Sequence, residues 1–140
     1  SLPFAALVTG DLLWALLFAI LGVRGVLDPA TYVEQFGIGI DGAAANTVRA
    51  DMSAFFLVAA GGAAVGALVP GWLRALLVPA ALYGTALLGR LIGAASGDVV
   101  NGGIVQAMII EALSTALMIG AWWTLSRSAL TAGSAMPEGG

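Results

Sequence analysis

Four apolar stretches constrain this chain more than any other feature, because each approaches the ~20 residues needed to cross ~30 Å of hydrocarbon at 1.5 Å per residue. They fall at about 4–27, 47–69, 72–95 and 103–125. The second is the cleanest, with no charge between Asp51 and Arg74. Charge is scarce everywhere: five basic residues, all Arg, and eight acids make 9% of 140 residues. A soluble domain carries about 25%. With mean hydropathy at +1.01, the chain cannot dress a water-facing surface. The expected fold is an all-α integral membrane protein, with four transmembrane helices bundled into a single domain over 1–130.

The first stretch could also be a signal peptide. Its start has no basic residue, Asp11 interrupts the apolar run, and the run is long for a signal. A retained helix is expected.

Missing residue types exclude whole classes of chemistry. The chain has no His and no Cys. Zinc, haem, copper and iron–sulfur sites built on imidazole or thiolate are therefore closed to it, as are disulfides, thiol nucleophiles and Ser-His-Asp triads. Oxygen-only coordination stays open, but the acids are scattered. The net charge of −3 and the lack of any basic run argue against a nucleic-acid partner. Membrane lipids and other membrane-protein subunits are the expected partners. No cofactor is expected through His or Cys, which leaves room for a bound lipid or other amphiphile.

After the first stretch, Asp28 is placed to cap a short helix, Pro29 fits its first position and Gly37 fits its stop. Tyr32, Val33 and Phe36 share one side of this piece, which predicts an interfacial helix over 29–36 with its aromatics inward. Residues 37–46 are expected to be loop. Pro70-Gly71 predicts a tight hairpin between the second and third spans, and Pro79 a bend in the third. The segment 131–140 is predicted to be a polar tail, of a composition that normally frays, resting against a neighbouring subunit if ordered.

Four spans bring both ends of the chain to one face, side A, with Arg74 and Arg127. Trp72, Trp122 and Trp123 read there as interface anchors. Side B receives the interfacial helix, the 96–102 connection and most ionisable residues, including Arg24, Arg49 and Arg90. If the side-B arginines are tied up inside the bundle, side A faces the cytoplasm.

Charges inside the membrane cost at least ~2.5–3.5 kcal/mol each on insertion scales and are functional candidates by default. Arg90 is about 7 Å and Glu111 about 12 Å from side B, so a long Arg side chain spans the difference. These two form the expected buried pair. Tyr83 shares the Arg90 face. Asp51 shares its face with Gly62 and Gly66, whose spacing permits close helix approach, so it is expected to point inward and to be held ionised by Arg49 or Arg90. The resulting candidate cluster is Arg49, Asp51, Arg90, Glu111 and Tyr83. Its three readings are a purely structural network, a polar pocket for a small molecule or lipid headgroup, and a proton relay. Asp11, ~10 Å from side A, is expected to bond a neighbouring helix or contact a partner. Arg24 is expected to snorkel to the interface.

The motifs Gly25-Val26-Leu27-Asp28-Pro29, Val48-Arg49-Ala50-Asp51, Gly89-Arg90-Leu91-Ile92-Gly93 and Ile110-Glu111-Ala112, in this order and spacing, resemble a bacterial family of small four-helix membrane proteins, domain of unknown function 4345. The resemblance covers most of the chain and implies the same fold and polar residues. It brings no activity. Ala54-Phe55-Phe56 departs from the Gly-rich start of the second helix in that family.

No nucleophile or acid/base pair stands out, which leans against an enzymatic role and leaves the question open. The expected role is a non-catalytic accessory subunit packing against a larger energy-transducing (respiratory or photosynthetic) or transport complex in the bacterial inner membrane. The alternative is a stand-alone bundle that binds a small amphiphile or anion in a polar pocket near one face.

Overall fold

The computed structural model describes residues 2–134. Within them the chain is helical, in the order α1 (Leu2–Leu27), α2 (Ala30–Phe36), α3 (Ala43–Leu68), a 3-10 turn (Leu73–Leu76) running into α4 (Leu77–Ala95), and α5 (Gly102–Ser134). Four helical segments are long and apolar enough to cross a membrane: α1, α3, the segment Leu73–Ala95, and α5. The protein is an all-α bundle of the integral membrane kind. Its outer surface carries Leu13, Leu16, Leu17, Ile20, Ile109 and Leu113 exposed, as lipid requires.

Small residues decide which helices meet. With no hydrophobic force between helices in lipid, close backbone approach and van der Waals contact take over. Gly22 of α1 receives Leu57 of α3, and Gly66 of α3 receives Leu76. Gly62 lies against Pro79 and the Ala75 carbonyl. The side-A half of the core is closed by Ala15, Ala63, Leu76, Met118, Ala121 and Leu125. One side-chain hydrogen bond ties α1 to α5 near mid-membrane: Trp14 Nε1 donates to Ser114 Oγ at 2.9 Å.

Helix α2 begins where the sequence places its cap, since Asp28 Oδ1 accepts from the Ala30 amide at 3.0 Å. It stops at Gly37, whose φ of 65° is left-handed and whose amide returns to the Val33 carbonyl. Tyr32 is fully buried: its ring occupies the space that any Cβ at Gly25 would take, and its hydroxyl shares a 2.8 Å hydrogen bond with Ser53 Oγ. The aromatics of α2 thus staple α1 to α3 from side B.

Four details differ from the sequence reading. Helix α3 starts at Ala43, four residues before the expected span, because Ala43-Ala44-Ala45 are strong helix formers placed just after the left-handed turn at Gly42. The third span opens as 3-10 helix, and Pro79 falls in the first turn of α4, where amides lack helical partners anyway. It packs on Gly62 of α3. Helix α5 runs to Ser134, about 13 Å beyond Leu125, so 131–134 are helical rather than frayed. There Ser128, Thr131 and Ser134 turn their hydroxyls back onto the Thr124, Arg127 and Thr131 carbonyls. The rest of the expected tail, 135–140, lies outside the described residues.

Candidate functional site

In its side-B half the bundle is not filled. A cavity of about 310 Å³ lies beneath α2, between α1, α3, α4 and α5. Its floor is aromatic: Phe18, Phe36, Phe55, Phe56 and Tyr83 line it. Their rings are in mutual contact, Phe18 and Phe55 standing 5.2 and 5.1 Å from Tyr83 and Phe36 stacked 6.0 Å from Phe56. Trp14 touches the far side of the Tyr83 ring at 5.1 Å. Gln35, Asp51, Arg90 and Glu111 supply the polar wall.

Arg90 and Glu111 meet as their depths require, with Nε donating to Oε1 at 2.7 Å. This is the only ion pair among the described residues. Glu111 is 94% buried and its second oxygen, Oε2, has no hydrogen-bond partner. Tyr83, also buried, leaves its hydroxyl without one. A low-dielectric site that holds unsatisfied polar atoms beside a void is a place where a ligand's polar group gains most.

Two members of the expected cluster are placed differently. Arg49 points away and caps α1, donating through Nη1 to the Val26 carbonyl and, at 3.3 Å, to that of Leu27. The last carbonyls of a helix have no partner of their own and carry its negative end, so a guanidinium there is satisfied locally and leaves the cluster. Asp51 does line the cavity, but it is exposed and has no ion pair; the inward face of α3 is carried by Ser53, Phe56, Ala60 and Ala63. Asp51 sits on the flank of that face, at the polar rim.

Asp11 is buried completely, and neither carboxyl oxygen has a hydrogen-bond partner among the described residues, against the expected bond to a neighbouring helix. Trp72 and Trp123 are exposed, the latter with the Arg127 guanidinium 5.2 Å from its ring centroid. Trp122 instead packs partly against the side-A core. Among the described residues no three acids gather as a metal-binding set.

The sequence reading missed the aromatic floor. Its signal was present in Phe55-Phe56, two adjacent rings at the level where the expected polar group lies; adjacent positions on a helix diverge by 100°, so one ring enters the core and the other turns to the cavity wall. Comparison with known proteins adds nothing further: no family model, no curated protein and no solved structure matches the chain.

Proposed function

We propose that this protein binds a small amphiphile in the side-B cavity. The observation that carries the reading is the cavity itself: about 310 Å³, floored by five aromatic rings and rimmed by Gln35, Asp51, Arg90 and Glu111. Small-molecule sites have this composition, a mostly apolar concavity with few polar groups that fix orientation, and this volume is at their lower end. Its position between the interface and mid-membrane suits a molecule with a polar head at α2 and an apolar body among the rings. The test is native mass spectrometry of protein released from its own membrane in mild detergent. Wild type should carry a small molecule at fixed ratio, and Ala86→Phe, which fills the cavity from its α4 wall, should fly without it. Wild type that flies bare, or a variant that keeps the same adduct, overturns the reading.

A second reading, an accessory subunit of a larger membrane complex, is favoured by the extension of α5 past the expected membrane edge. Its exposed groove, with Trp123, Arg127 and Thr131, offers a contact for another subunit. Co-purification at fixed ratio, lost on Arg127→Glu, supports it; recovery alone does not.

The proposed placement rests on the arginines. Arg90 is engaged by Glu111 and Arg49 by carbonyls, which leaves Arg74 and Arg127 on side A, against Arg24 on side B, as the basic residues outside any ion pair among the described residues. We accordingly place side A in the cytoplasm of a bacterium, with the cavity toward the outer face of the inner membrane. A chain without Cys makes single-cysteine labelling clean: Ser128→Cys should be shielded from an impermeant thiol reagent in intact cells and Asp41→Cys labelled.

A further inference from the structure

We propose that the occupant of the cavity is an organic monocation bearing apolar substituents. The inference rests on the binding reading above and names its ligand class by charge balance. Three charged side chains line the cavity, Asp51, Arg90 and Glu111. The Arg90–Glu111 pair cancels internally at 2.7 Å. Among the described residues Asp51 has no ion pair to cancel it, so the lining carries one net negative charge.

Each class of headgroup meets this wall differently. An anion could accept from the Arg90 Nη groups, since only Nε is committed to Glu111, but it would add to a lining that already carries Asp51 and the second oxygen of Glu111. A neutral body gains only from burial. A monocation gains three times: from the Asp51 carboxylate at the rim, from the negative potential at the partnerless Oε2 of Glu111, and from the ring faces. Aromatic faces attract cations through their quadrupole, most strongly once water is excluded. Of the five rings that line the cavity, Phe36 and Phe55 are the part-exposed ones and offer this surface, while Phe18, Phe56 and Tyr83 are buried behind them.

The Arg90–Glu111 pair then has a definite part in selectivity. It sets a carboxylate deep in the bundle whose charge Arg90 offsets in the empty protein. A second cation arriving near Oε2 shares that carboxylate rather than competing for the Oε1 edge held by Arg90.

The experiment compares three probes of nearly equal shape on the full chain in neutral detergent: phenyltrimethylammonium, tert-butylbenzene and benzenesulfonate. The readout is the unfolding midpoint as a function of probe concentration, which reports affinity for the folded state. Phenyltrimethylammonium should raise the midpoint saturably and bind more tightly than the other two. Asp51→Asn, a rim residue whose replacement leaves the core intact, should weaken it on the order of tenfold and leave tert-butylbenzene unchanged. If tert-butylbenzene or benzenesulfonate binds as tightly, or Asp51→Asn has no effect on the cation, the ligand class is wrong while the cavity still binds. If no probe binds and the native protein also flies bare, the cavity reading fails and takes this inference with it.

Discussion

Glu111 gives one carboxyl oxygen to Arg90 Nε at 2.7 Å and keeps the other without a partner. The pair joins α4 to α5 beside the cavity, with Arg90 about a quarter exposed and Glu111 buried. An ion pair of this kind contributes little net stability against apolar residues of similar size, but removing one partner strands a charge.

Arg90→Ala and Glu111→Gln should therefore each lower unfolding free energy by about 1–3 kcal/mol, less than for a fully buried pair because solvent reaches the guanidinium. The double variant Arg90→Met/Glu111→Leu should recover most of that loss. Equilibrium unfolding in mixed micelles checks both; a double variant as unstable as the sum of the singles contradicts the assignment.

Asp11 is fully buried, and among the described residues neither of its oxygens has a hydrogen-bond partner. Replacing it with Val, close to Asp in shape, should stabilise the bundle by about 1–3 kcal/mol, since the unmet desolvation cost of the carboxyl disappears. A gain in stability with a loss of ligand binding or partner association would mark Asp11 as retained for function. A loss of stability would mean that the carboxyl is held by something the bundle acquires in its membrane.

Gly25 has no room for a side chain, because the Tyr32 ring occupies it. Gly25→Ala should expel that ring, break the Tyr32–Ser53 hydrogen bond and cost about 1–3 kcal/mol. The damage should be local to side B. Limited proteolysis should show cleavage between 28 and 42 well before the spans yield, and simultaneous loss of all helices would refute the stapling role of α2.

Arg49 satisfies the last carbonyls of α1. Arg49→Ala should cost about 0.5–1 kcal/mol and speed amide exchange at the C-terminal turn of α1, with no effect on ligand affinity. A change in affinity would return Arg49 to the cavity.

The fold was largely legible because span length is a hard constraint: a segment must cover the hydrocarbon or leave it, and Asp28, Gly37 and Pro70-Gly71 punctuate the connections with residues suited to turns. Depth arithmetic was enough to bring Arg90 to Glu111, since two charges in a thin slab of lipid have few places to go. Arg49 was misplaced for a different reason. Two residues from Asp51 on the same helix, it points elsewhere, as the spacing requires, but the acceptors it finds belong to another helix, and helix ends leave no trace in residue identity when backbone carbonyls are the partner. The aromatic floor was hidden because rings from three spans and α2 converge only after packing. Phe and Leu look alike to a membrane window, while only the ring has a face.

The Trp14–Ser114 hydrogen bond has a practical consequence. Of the four tryptophans, three stand toward side A, Trp122 about 16 Å along α5 from Glu111, while Trp14 is fixed at mid-membrane with its indole 5.1 Å from Tyr83. The bundle thus contains one indole separated from the cavity by a single ring, that of Tyr83. With Trp72, Trp122 and Trp123 replaced by Phe, emission from the single remaining indole would follow filling of the cavity in real time, without any label.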